Sequence, residues 1–211
     1  MENSISHQVA AKLLEIKAIR LNLENPYTWA SGLKSPIYCD NRLSLSYPEI
    51  RSYIKIALKS LIKSEFTNVE AIAGVATAGI PQGALVADVL ELPFIYVRSK
   101  PKGHGLTNMI EGVVVQNQNI VLVEDLISTA GSSIKAALAL REAGLDVLGM
   151  VAIFTYGFTV ASENLKRENL KLATLSNYND MIEQAVDSNY ISTDEVKSLK
   201  AWRQDPANWN P

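Results

Sequence analysis

The stretch Val121-Leu-Val-Glu124-Asp125-Leu-Ile-Ser128-Thr129-Ala130-Gly131-Ser132-Ser133 decides how the chain is read. Its aliphatic start has the character of a buried strand, and the pattern over 132–143 is that of a helix stopping before Gly144. Between them lie two adjacent acids and a turn of small and hydroxyl residues. Such a turn, feeding a helix, lets backbone N–H groups converge on an anion, and the helix N-terminus adds partial positive charge. A phosphate suits that place, with Glu124 and Asp125 positioned to meet sugar hydroxyls or to organise a hard divalent cation and its waters. By spacing alone, the same acids could simply end a strand and Ser132 cap a helix.

Working outward, apolar runs at 69–75, 94–97, 120–123 and 147–154 are short and rich in β-branched or aromatic residues, as buried strands are. Helical patterns at 82–90 and 132–143 alternate with them. This alternation predicts right-handed crossovers and a parallel sheet whose ligand sits beyond the carboxyl ends of the strands. The stripe Ile50, Tyr53, Ile54, Ala57, Leu58, Leu61, Ile62, entered through Ser46 and Pro48, predicts an amphipathic helix. Val9, Leu13 and Ile16 predict an N-terminal helix over 6–19. The segment 25–45 reads as irregular structure with short strands, and 177–199 as two short helices. With no internal repeat or low-complexity linker, the chain reads as one domain over 1–211.

Composition narrows the function classes. At 47% hydrophobic and 20% charged residues the chain is an ordinary globular protein, and a net charge of -2 without a long basic run lacks the footprint of a nucleic-acid binder. Cys39 is the only cysteine, which excludes an intramolecular disulfide and points to a reducing, cytoplasmic compartment. With His7 and His104 it offers too few ligands for structural zinc. The uncharged run 71–87 is broken by Gly74, Gly79, Pro81 and Gly83, and charges interrupt the N-terminal pattern, so neither a bilayer span nor a signal peptide is expected.

Two further segments suit an anionic ligand. Gly74-Val-Ala-Thr77-Ala78-Gly79 has the glycine spacing of a nucleotide P-loop, but Ile80-Pro81 stands where Lys and Ser or Thr are required. Thr77 and Ala78, between a strand and a helix, still expose backbone groups suited to a pyrophosphate; a tight turn packed under the sheet is the other reading. Arg98-Ser99-Lys100-Pro-Lys102-Gly-His104-Gly105 opens a long connection between two strands and carries four cation-capable side chains, as a lid would.

The acid-acid-aliphatic-aliphatic-hydroxyl-hydroxyl-small-Gly-Ser string from Glu124 to Ser132 resembles the phosphoribosyl diphosphate signature of type I phosphoribosyltransferases. Ser31-Gly-Leu-Lys34-Ser-Pro-Ile-Tyr38-Cys39-Asp40-Asn41-Arg42, the 98–105 loop and the ending Trp202-Arg-Gln-Asp-Pro206 are similar to the orotate-using members. The resemblance implies an α/β fold: a central parallel sheet of five strands flanked by helices, with a small hood formed by about 1–45 and the C-terminal segment. It implies transfer of a 5-phosphoribosyl group from phosphoribosyl diphosphate to orotate by a cytoplasmic homodimer that shares its lid between subunits. Mg²⁺ would be held mainly by substrate and waters near Glu124 and Asp125.

By position, the resemblance also implies roles. Thr77, Ala78, Arg98, Ser99, Lys102 and His104 would bind the diphosphate, with Lys102 completing the neighbouring subunit's site. Glu124, Asp125, Leu126, Ile127, Ser128, Thr129, Ala130, Gly131 and Ser132 would hold the ribose 5-phosphate. Lys34, Tyr38, Cys39 and Ser128 would meet orotate, and Lys102 and Asp125 are the candidate catalytic residues. Four positions depart from patterns seen in parts of the family. Ala30 and Ser99 stand where some members have lysine, Ala130 where glycine is commoner and Tyr156 where some have arginine, which leaves Lys34 or Lys100 to share the cationic work. Two other readings stay open: a non-catalytic sensor of phosphoribosyl diphosphate, and a phosphoribosyltransferase for another base.

Overall fold

The computed structural model describes residues 4–29, 31–100 and 109–210. Helix α1 (Ile5–Glu15) starts at Ser4, whose side chain accepts from the His7 amide, and buries Val9, Ala10, Leu13 and Leu14. It is shorter than the 6–19 expected. Lys17 takes a φ of 57°, a left-handed conformation that ends the helix, and Ile19–Leu21 becomes strand β1. Strand β1 pairs antiparallel with β4 (Ile37–Cys39), while β2 (Tyr27–Thr28) and β3 (Lys34–Ser35) form a second small antiparallel pair. A 3₁₀ segment, Asn41–Ser46, leads into α2 (Pro48–Glu65), where Pro48 occupies a first-turn position whose N–H would have no partner anyway.

The rest alternates: β5 (Ala71–Val75), α3 (Gly79–Leu90), β6 (Phe94–Val97), β7 (Ile110–Glu111), β8 (Asn119–Ile127), α4 (Gly131–Glu142), β9 (Asp146–Thr155), α5 (Thr159–Arg167), β10 (Leu172–Asn177), α6 (Tyr178–Asp187) and α7 (Glu195–Gln204). The main sheet has the order β10-β9-β8-β5-β6-β7. The first five strands run parallel, and β7 joins the edge antiparallel to β6. The expected parallel sheet is present, with β7 added inside what reads as a loop.

Helices cover both faces of this sheet. On β8, Val121 and Val123 enter one buried cluster with α1, α2, α6 and α7, while Ile120 and Leu122 enter the other with α4 and α5. A strand buried on both faces has no polar alternation, which is why this stretch is a continuous apolar run. The glycines of the P-loop-like spacing have a packing role: a Cβ on Gly79 would lie 2.4 Å from the Val123 carbonyl oxygen, and one on Gly74 2.9 Å from that of Gly79. They let α3 sit directly on β5 and β8. Among the described residues no helix is long and apolar enough to cross a membrane.

Candidate active site

Strands β5 and β8 are neighbours in register, Gly74 beside Val123, so their carboxyl ends bring the 76–78 loop and the Glu124–Ser132 turn together. Between them and the 3₁₀ segment lies an acidic chamber of about 330 Å³, lined by Cys39, Asp40, Arg42, Ala76, Thr77, Ala78, Glu124, Asp125, Leu126 and Ser132. The Ala76–Thr77 peptide on its rim is cis. Ala130, just ahead of α4, has φ 65° and ψ 7°, and the Ile134 amide donates to its carbonyl at 2.9 Å. The amides before Ile134 precede the helical ladder and are the groups an anion can use.

The two acids of β8 are strongly coupled to their surroundings. Glu124 is 5% exposed; its Oε1 accepts from the Asp125 amide (3.0 Å) and its Oε2 from the Ser133 hydroxyl (3.2 Å). Burial pushes its carboxyl well above the usual range, and the Asp125 carboxyl beside it pushes the same way. Asp125 is also raised by burial, opposed by hydrogen bonds from its surroundings and by the Arg42 charge. Two such acids favour an added cation or hydroxyl donors over bare ionisation. Nearby, Arg42 grips Asp40 with Nε and Nη2 (2.6 and 2.8 Å), which holds Asp40 below its ordinary value. Buried Asn41 donates through Nδ2 to the Asp125 carbonyl at 2.7 Å and accepts from the Cys39 thiol at 3.3 Å.

A second chamber of about 310 Å³ adjoins the first, lined by Thr28, Trp29, Tyr38, Cys39, Leu126, Ser128 and Tyr156. Cys39 and Leu126 belong to both. Its walls are aromatic: Trp29 tilts against Tyr156 with centroids 5.2 Å apart, and Tyr156 stacks on Phe158 at 5.4 Å. Lys34 stands behind the wall, its Nζ donating to Thr28 Oγ1 at 2.9 Å.

The structure thus gathers Thr77, Ala78, Glu124, Asp125, Leu126 and Ser132 in the acidic chamber, and Tyr38, Cys39, Leu126 and Ser128 in the aromatic one. Ile127 and Ala130 are buried, Gly131 opens α4, and the Thr129 carbonyl accepts from Asn164 Nδ2 at 3.1 Å. Arg98 faces Glu111 of β7 at 3.5 Å, and neither it nor Ser99 lines a chamber. Lys102, His104 and Ala30 lie outside the described residues.

Asp40, Arg42, Thr28 and Trp29 carry no role in the sequence reading, although the first two stand in the Ser31–Arg42 string. The acid and base two apart in that string were the available signal for Asp40 and Arg42; Thr28 and Trp29 needed the β2–β3 pairing. Among the described residues one other group could offer metal ligands, His7, Asp180 and Glu183, but it lies on α1 and α6 and lines neither chamber. A larger cavity of about 560 Å³ beside α6 and α7 contains none of the motif residues.

Comparison with known proteins agrees with this geometry. Residues 46–190 match the family model described as a phosphoribosyl transferase domain. An orotate phosphoribosyltransferase of Porphyromonas gingivalis is 56% identical over 201 residues, spanning 95% of this chain and 96% of its own length. One from Listeria innocua is 53% identical over 206 residues, spanning 98% and 99%. The crystal structure of orotate phosphoribosyltransferase from Aeropyrum pernix superposes with a TM-score of 0.75 at 27% identity, over 87% of this chain and 99% of that one. Matched nearly end to end at more than half of its positions, the chain belongs to the phosphoribosyl transferase family and, within it, to the orotate phosphoribosyltransferases.

Proposed function

We propose that the two chambers divide the substrates of one reaction, in which C1′ of phosphoribosyl diphosphate loses its bond to the diphosphate oxygen and gains one to N1 of orotate. The products are orotidine 5′-monophosphate and pyrophosphate. The observation that carries this reading is the shared wall at Cys39 and Leu126: an acidic, anion-accepting chamber opens directly beside an aromatic one of about 310 Å³.

In the acidic chamber the amides before Ile134 meet the 5′-phosphate, Glu124 and Asp125 accept from the ribose hydroxyls, and Thr77, Ala78 and Arg42 face the diphosphate. In the aromatic chamber the pyrimidine lies among Trp29, Tyr38 and Tyr156, with Ser128 hydrogen-bonding its edge. Lys34, which reaches the lining through its Nζ bond to Thr28 Oγ1, is a cation within the hood that answers the orotate carboxylate once it turns from Thr28. As the bond to C1′ lengthens, positive charge grows on the sugar and negative charge on the leaving oxygens. The paired acids lie beside the first, while Arg42 and the lid residues Arg98, Lys102 and His104 answer the second. Closure of the lid excludes water that would otherwise capture the sugar.

Glu124 and Asp125 also suit a hard divalent ion, since they are oxygen donors whose buried carboxyls ionise more readily beside a cation. Held there with the substrate, Mg²⁺ would supply neutralisation of diphosphate charge. The small sheets β1–β4 act as the hood of a single domain. Two copies share their lids through Lys102, and a cytoplasmic setting agrees with the unpaired Cys39.

The test follows orotate absorbance on mixing with phosphoribosyl diphosphate and Mg²⁺, beside a panel of other bases. Orotate-selective consumption supports the reading. Binding of phosphoribosyl diphosphate without turnover would make the chain a sensor, and preference for a purine would reassign the aromatic chamber.

A further inference from the structure

The ending around Trp202 marks the family resemblance, yet neither chamber includes it. In the structure α7 carries the indole into the core, fully buried, where its Nε1 donates to the Lys34 carbonyl at 3.0 Å. The same ring meets Trp29 and Tyr156 edge-on, at centroid distances of 5.6 and 5.9 Å. The next residue, Arg203, donates from Nη1 to the Gly157 carbonyl at 2.9 Å. A Cβ on Gly157, whose φ is 67°, would approach that guanidinium to 3.0 Å, so the grip suits a glycine. The helix is itself tied to α6 by the Tyr178 hydroxyl donating to the Leu199 carbonyl at 3.1 Å.

One helix therefore holds two of the three aromatic walls of the second chamber, those of Trp29 and Tyr156, while Tyr38 stands on β4. The β2–β3 hairpin bears Thr28, Trp29 and Lys34, and the segment after β9 bears Tyr156. The hairpin has strands of two residues each, too short for its own ladder to fix its position. We infer that Trp202 and Arg203 are positioning residues that set the spacing of these walls and so select a single-ring base over a fused two-ring one. This rests on the reaction proposed above and adds the group that sets its base selectivity.

The experiment compares wild type with Trp202→Phe, which keeps a ring but loses the donor, and with Arg203→Met and Arg203→Lys, varying orotate and phosphoribosyl diphosphate separately. Expected is a rise of about three- to tenfold in KM for orotate in Trp202→Phe and Arg203→Met, the scale of one lost hydrogen bond, with KM for phosphoribosyl diphosphate within about twofold of wild type. Arg203→Lys, which keeps a donor, recovers part of the loss, and kcat/KM for adenine relative to orotate increases in the two donor-less variants. A fall in kcat with both KM values and the base ratio unchanged overturns the inference, because that is what general destabilisation does. If Trp202→Phe does not fold, an unchanged orotate KM in Arg203→Met overturns it alone. The wild-type base panel is read first, so failure of the reaction itself is seen before any variant is compared.

Discussion

Glu124 occupies a place where ionisation is costly, and that cost is visible in the free protein. Its folded-state pKa lies above the ordinary value of 4.5, so its contribution to stability is full below that value and is lost as pH rises through the raised one. Glu124→Gln removes the loss. Without substrate or metal, its melting temperature is expected to match or exceed that of wild type at about pH 8, with the advantage shrinking as the pH falls toward the ordinary carboxylate range. Thermal denaturation across pH checks this, and a variant less stable than wild type at every pH would contradict it. Asp40 works in the opposite sense: held low by Arg42, it supports the fold above its ordinary value of 3.8 and ceases to do so on acidification below it.

Ala130 adds a second residue-scale case. Its φ of 65° is a conformation that glycine adopts freely, so Ala130→Gly is expected to raise stability by up to about 1 kcal/mol, the relieved strain exceeding the lost burial of one methyl. Denaturant unfolding measures it. For the reaction, Lys102→Ala should lower kcat by about 10² or more while leaving the melting temperature unchanged, the scale of one preorganised electrostatic group.

At the scale of elements, the close seating of α3 has a direct consequence. Gly79→Ala forces backbone against backbone at the Val123 carbonyl, so it should cost about 1–3 kcal/mol or more and weaken binding of phosphoribosyl diphosphate. Chemical denaturation and a binding titration read the two effects. Elements also show why parts of the fold were legible before the structure. Strand β8 and helix α2 announce themselves because burial imposes a uniform pattern, a continuous apolar run over 120–123 in one and a stripe in the other. Strand β7 and the β2–β3 pair have two residues per strand, too few for any period to register. The predicted N-terminal helix ran on to 19 because Ile16 and Ile19 continue the spacing of Val9 and Leu13, whereas the reversal at Lys17 leaves no pattern in apolar residues.

For the whole molecule, the acidic chamber was largely readable because most of its lining comes from two continuous loops at the ends of adjacent strands, with only Cys39, Asp40 and Arg42 brought in from elsewhere. The aromatic chamber was readable only in part. Its walls come from residues near 28–39, 126–128 and 156, which meet only through tertiary packing, and no local motif carries their spacing. Arg42 has no assigned role in the sequence reading for a related reason: the Asp40–Arg42 spacing signals a local ion pair, but that the guanidinium also acts on Asp125 follows only from the fold. Sharing of the lid between copies can be read directly by mixing Lys102→Ala with Asp125→Asn, each expected to be inactive alone. Recovered turnover in the mixture supports an exchanged lid, and none would confine Lys102 to its own site.

Cys39 forms part of the partition between the chambers, and burial together with the charges of Asp125 and Asp40 pushes its thiol up. A sulfur at the point where sugar and pyrimidine would be joined is thereby kept out of its nucleophilic anion form. Alkylating reagents should accordingly label Cys39 slowly in the folded enzyme at neutral pH and much faster once denaturant opens it, so burial first and the acidic neighbours second protect this chemically soft atom.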